Sequence, residues 1–146
     1  MEIYKSLFAA LTLTALYTSP VVAGPPVTVT FKNIGIKTAT YTPINNNEFI
    51  TKTNASHTPE ASIIPNSTDT YRIQSNAGYT HANLRYQSGN KTCVYLSTFV
   101  TAPGPGATKV PKWNNAATPS GGATCTIRTT RTNPSTYAWS IEITMK

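Results

Sequence analysis

The chain has 146 residues, a length that fits one domain. Charged residues make up only 12% of it, yet the formal net charge is +7. Its Lys and Arg are scattered and form no run, which argues against nucleic acid as a partner and favours an anionic surface, such as phospholipid head groups or an acidic cell-wall polymer.

The first 23 residues differ in character from the rest. Met1 to Lys5 leads into an apolar run from Leu7 to Tyr17, followed by Pro20 and the small-residue ending Val21-Val22-Ala23. This is the layout of a secretory signal peptide, with cleavage expected after Ala23. The apolar run is too short to span roughly 30 Å of hydrocarbon as a helix. Residues 24–146 are then one exported domain, extracellular or retained in a periplasm. Removing the leader takes away one Lys and one Glu, so the net charge of +7 is unchanged.

After Ala23 the chain reads as many short strands, rich in Thr, Val, Ile and Tyr and interrupted by Pro, Gly and Asn. Val27, Val29 and Phe31 alternate with Thr28, Thr30 and Lys32. Residues 36–42 alternate again, after a turn at Asn33-Ile34-Gly35. Asn45-Asn46-Asn47 reads as a loop, 48–52 as a short strand and 53–60 as an exposed loop. Ile63-Ile64 is a brief strand. Tyr71 and Ile73 share a face in the next one. In the strand at 80–87 the buried face holds Ala82, Leu84 and Tyr86.

Ser88-Gly89-Asn90 is a hairpin signal. The segment 92–100 is apolar on both faces and reads as a central strand. Gly and Pro then recur through 101–122, which reads as a long excursion without regular structure. Strands at 123–130 and 136–145 close the chain. In the last, Trp139, Ile141, Ile143 and Met145 alternate with polar residues. The expected fold is all-β, an antiparallel sandwich of eight or nine short strands, with a small barrel as the alternative.

Cys93 and Cys125 are the only cysteines. An even pair in an exported chain reads as a disulfide. It would join the 92–100 strand to the 123–130 strand at the base of the 101–122 excursion. Asn54, Asn66 and Asn90 each begin an Asn-x-Ser/Thr sequon at an expected turn.

Catalytic chemistry finds little support. Glu48, Glu60, Asp69 and Glu142 are the only acids after the leader, and they read as solvated surface charge. His57 and His81 have no Gly-x-Ser-x-Gly elbow to serve, and no His, Cys or Asp spacing suits a metal. Neither an enzymatic role nor a cofactor is expected. Thr residues two apart line strand faces with hydroxyl groups, and their irregular spacing suits an ordinary polar face better than an ice-binding array.

The best candidates for ligand contact lie in 101–122. Lys109, Lys112 and Trp113 combine cationic heads with an aromatic ring that can stack on a sugar or sit at a lipid head-group boundary. The tyrosines near turns join them. The expected function is a secreted, non-catalytic binding module for a cell-surface glycan, lipid, protein or anionic envelope component. In composition and strand count the chain also resembles small membrane-binding cytolysins, which implies peripheral membrane contact as a toxin or effector. A third reading is a structural subunit that pairs with another copy through its apolar strand 136–145.

Overall fold

A computed structural model describes residues 22–146. The leader assigned to residues 1–23 lies outside the described residues apart from Val22 and Ala23.

Among the described residues, nine strands form two sheets. Strands β1 (Val27–Asn33), β4 (Thr68–Ile73), β8 (Cys125–Thr132) and β9 (Trp139–Met145) make the four-stranded sheet, in the order β4-β1-β9-β8. Strands β2 (Ala39–Tyr41), β3 (Ser62–Ile63), β5 (His81–Ser88), β6 (Lys91–Pro103) and β7 (Lys109–Ser120) make the five-stranded sheet, in the order β3-β2-β5-β6-β7. Neither sheet closes on itself, so the fold is a β-sandwich and not a barrel. Strand neighbours pair antiparallel except β1 and β9, the first and last, which run parallel in register from Val27↔Trp139 to Asn33↔Met145. A parallel pair needs a long connection between its strands. Here the whole intervening chain serves as that connection.

The alternating residues meet between the sheets. Val29, Phe31, Tyr71, Trp139, Ile141 and Ile143 from one sheet bury against Leu84, Tyr86 and Tyr95 from the other. Phe31 stacks flat on Tyr86, with ring centroids 3.7 Å apart. The polar tips of these aromatic groups all find partners. Tyr71 and Tyr86 share a hydroxyl–hydroxyl bond of 2.9 Å, and Tyr95 donates to Thr144 O at 2.6 Å. Trp139 Nε1 donates to Ser97 Oγ at 2.9 Å. The Asn115 amide then bridges Ser97 Oγ at 2.7 Å and Thr129 Oγ1 at 2.8 Å, which ties β6 and β7 to the opposite sheet. Burial pushes the hydroxyls of Tyr71, Tyr86 and Tyr95 well above their ordinary value, so all three keep a proton to donate.

Cys93 of β6 and Cys125 of β8 form the expected disulfide, which joins the two sheets across 5.7 Å between Cα atoms.

Several expectations are corrected. The segment 48–52 is not a strand. It belongs to helix α1 (Asn46–Thr53). Asn45 caps this helix by accepting from Glu48 N at 3.0 Å, and Glu48 reaches back to accept from Ile44 N at 2.7 Å. The Asn45 side-chain amide also donates to Glu48 Oε1 at 2.8 Å. This exchange at the helix start is a variant of the capping box, in which the carboxylate takes the N–H of the residue before the cap, and it outweighs the apolar content of Phe49 and Ile50.

The excursion at 101–122 is largely strand. The connection between β6 and β7 is only Gly104–Thr108. Pro111 and Pro119 fit because β7 is an edge strand, where a missing N–H need cost no ladder bond. Lastly, β9 lies between β1 and β8 and is no free edge. The route to a structural assembly through residues 136–145 is therefore closed.

Among the carboxylates, Glu48 and Asp69 are buried, against the expectation of solvated charge. Glu48 meets Arg85 of β5 in a forked pair, with Arg85 Nε 3.1 Å from each carboxylate oxygen and Nη2 2.8 Å from Oε1. Asp69 accepts from Glu60 N at 2.8 Å, and its other oxygen lies 3.7 Å from His57 Nε2. Glu142 stays on the outer face, between Lys32 and Arg128. Thr30, Thr70, Thr126 and Thr144 share that face with the ion pairs, and two direct hydroxyl contacts link them, Thr70 to Thr30 and Thr126 to Thr144.

The turn after β1 is held from below by Asn33. This buried side chain donates to Lys37 O at 2.8 Å and to Ile63 O at 2.9 Å, and accepts from Gly35 N at 3.1 Å. Asn33→Ala strands buried backbone groups and is expected to cost about 1–3 kcal/mol, read by urea unfolding. A cost below a few tenths would show that water replaces the amide.

Candidate functional site

Strand β6 outruns its neighbour. It pairs with β5 only as far as Thr98↔His81. Beyond that point β6 and β7 continue as a two-stranded arm, from Phe99↔Trp113 to Pro103↔Lys109. The arm stands at the end of the sandwich where the loops 74–80 and 133–138 also gather, together with the segment 22–26. Its tip turns tightly: Gly104 N donates to Thr108 O at 2.8 Å. A Cβ at Gly104 would lie 2.6 Å from Val110 Cγ2, so a larger residue there would have to displace the Val110 side chain.

The arm carries all three residues that sequence reasoning selected, but they do not form one patch. Trp113 turns inward and is half-buried, and its Nε1 donates to Tyr137 O at 3.3 Å. Its ring lies against Phe99 at 5.8 Å, and Phe99 in turn stacks on Tyr137 at 4.9 Å. Lys112, the adjacent residue on a pleated strand, faces the other way and is exposed. Lys109 sits at the base of the tip, beside a shallow hollow of about 260 Å³. Trp113 thus anchors the root of the arm to the 133–138 loop, and the two lysines project into solvent.

Three grooves wrap this root and share walls. One, of about 660 Å³, runs between the segment 22–26 and the arm and is lined by Tyr79, Phe99 and Tyr137. A second, of about 410 Å³, shares Tyr79, Phe99 and Val100 with the first and adds Asn47, His81 and Asn83. A third, of about 620 Å³, meets the first at Pro26 and is lined by Arg72, Arg131, Thr28, Ser140 and Asn133.

Two features mark this belt as a built surface. Tyr79 is 62% exposed, large for an aromatic ring, and it stacks on His81 with centroids 6.2 Å apart. Tyr137 holds a left-handed backbone conformation with φ of +60°, unfavourable for a residue with a Cβ. Asn133 fixes the loop around it by accepting from Ser135 N and Thr136 N at 3.0 and 3.2 Å.

In charge the belt is one-sided. Arg72 and Arg131 flank the third groove, Lys109 and Lys112 stand above on the arm, and among the described residues no Asp or Glu side chain lines any of the three grooves. Two buried polar atoms of residues that line the second groove, His81 Nε2 and Asn83 Oδ1, have no hydrogen-bond partner among the described residues. Such an arrangement can stack on a planar or sugar face and pair with acidic groups. It places no pair of carboxylates across a substrate. Among the described residues, no group of three His, Cys, Asp or Glu side chains is positioned to hold a metal ion.

Tyr79 and Tyr137 belong to the turn tyrosines that the sequence pointed to. Arg72 and Arg131 were missed. Their signal was their outward phase on β4 and β8, which becomes informative only once those strands are known to flank β1 and β9. Of the three sequons, Asn66 and Asn90 fall in turns, and Asn54 caps the C-terminus of α1. None of the described helices is long and apolar enough to cross a membrane. Comparison of the chain with models of known protein families and with curated proteins finds no match to either.

Proposed function

We propose that this chain is an exported, non-catalytic binding module whose arm-bearing end engages an acidic glycan of a cell surface or envelope. The observation that carries the reading is the belt of three connected grooves, with aromatic walls and two arginines but no acid. Aromatic faces suit the apolar faces of sugar rings, and arginine forks suit carboxylate or sulfate groups. The cross-sheet disulfide accords with export into an oxidising compartment, as does the leader-like start of the chain.

The test is retention on immobilised heparin and polygalacturonate, with neutral dextran as the control. Wild type is expected to bind the acidic polymers and to elute as salt rises, because the exposed charges are screened. Tyr79→Ala and Arg131→Ala should each weaken binding about tenfold. The polymers should keep their chain length after long incubation. Equal retention on dextran, retention unchanged in both variants, or cleavage of the polymer would sink the proposal.

A further inference from the structure

The opposite end of the sandwich is built differently. There the turns after β1, β3, β5 and β7 come together with the C-terminal end of β9. They present isoleucines to solvent: Ile36 is 93% exposed and Ile64 63%, with Ile34 about half exposed. The loop that carries Ile36 is not slack. Asn33 holds it at both ends through the bonds described above, and Ile34 N donates to Met145 O at 2.9 Å. The neighbouring turns fit closely. Gly121, with φ of +62°, lies so near the Asn90 carbonyl that any Cβ there would overlap it.

Lysines border the same tip. Lys37, Lys91 and Lys146 line a hollow of about 200 Å³ together with Ile36. The loops 33–38, 64–67, 88–91 and 120–124 contain no Asp or Glu.

We infer that this end docks on the surface of an anionic phospholipid bilayer, with Ile34, Ile36 and Ile64 entering the interfacial layer and the three lysines facing the head groups. A loop held by a buried side chain cannot fold its isoleucine inward, so Ile36 is covered only by a partner. Lysines without acids select a negative one. A second copy fits poorly, because a two-fold contact through this end would bring lysines against lysines. The apolar groups also project from convex loop tips, a shape suited to a deformable lipid surface. This inference concerns the end remote from the arm and does not depend on the glycan reading.

The experiment is co-sedimentation with vesicles of phosphatidylserine and phosphatidylcholine, and with phosphatidylcholine alone. It uses protein made without N-glycans, because the sequons at Asn66 and Asn90 lie in these loops. Wild type should bind the anionic vesicles at low salt and release at high salt. Ile36→Ser should lower partitioning about tenfold, and Lys37→Gln and Lys91→Gln about fivefold each. Val110→Ser, on the arm, should leave it unchanged. The exposure of Ile36 makes its replacement neutral to folding, and an unaltered melting temperature would verify this. Absence of binding to the anionic vesicles at low salt overturns the inference. So does binding that follows Val110 in place of Ile36, or a solution dimer abolished by Ile36→Ser. The vesicles carry no glycan, so none of these results decides the glycan reading.

Discussion

Arg85→Met is expected to destabilise the protein by about 3–5 kcal/mol at neutral pH, because it leaves a buried carboxylate without its partner. Glu48 has no exposed surface, and its two oxygens accept from the Arg85 fork, from Ile44 N and from the Asn45 amide. Burial opposes its ionisation. The Arg85 hydrogen bonds and charge, and the Ile44 N–H, outweigh that effect and hold the carboxyl below its ordinary value of 4.5. A carboxyl lowered in the folded state stabilises the fold above its unfolded value. That stability is lost as pH falls through the folded one. Wild type should therefore weaken as it is acidified below pH 4.5.

In the variant the balance shifts. Burial then acts on Glu48 against only the hydrogen bonds from Ile44 and Asn45, its folded value rises relative to wild type, and the penalty of Arg85→Met should shrink on acidification as the carboxyl becomes neutral. Chemical unfolding of both proteins at neutral and acidic pH reads this directly. The double variant Glu48→Met with Arg85→Met should recover most of the loss, because no charge remains buried. A penalty that does not change with pH would mean that Arg85 acts through packing and not through its charge.

Replacing both cysteines, Cys93→Ala with Cys125→Ala, is expected to cost about 3–4 kcal/mol, from the entropy that an open loop of this size returns to the unfolded chain. The sequence separation is 32 residues, and the loop includes the whole arm. The expected fall in melting temperature is about 10–15 °C. The disulfide also does local work. It fixes β6 to β8 near the foot of the β6–β7 hairpin, where few backbone bonds link the two sheets. Amide hydrogen exchange in the variant should accelerate most at Thr92–Val94 and Thr124–Ile127. A change in melting temperature of only a degree or two would show that the Trp139–Ser97–Asn115–Thr129 chain of hydrogen bonds and the aromatic core already hold the sheets together.

The period-2 pattern was enough to read Val27–Phe31, Tyr71–Ile73, Ala82–Tyr86 and Trp139–Met145 as strands with the correct face inward. Each has one face in the core and one in water, and that division is written residue by residue. The disulfide was equally legible, since two cysteines allow one pairing. Helix α1 was obscured because its decisive interactions are a capping exchange between Asn45 and Glu48 and a contact with Arg85, 37 residues away along the chain. The arm was obscured for a related reason. An edge strand tolerates proline and need not bury a face, so β7 has the composition of a loop. The position of β9 between β1 and β8 depends on its pairing with β1, whose residues lie more than a hundred positions away, and no local pattern encodes that pairing. Local alternation therefore determined which residues are buried. The tertiary pairing alone decided which strands are edges, and with them which grooves and loop tips face a partner.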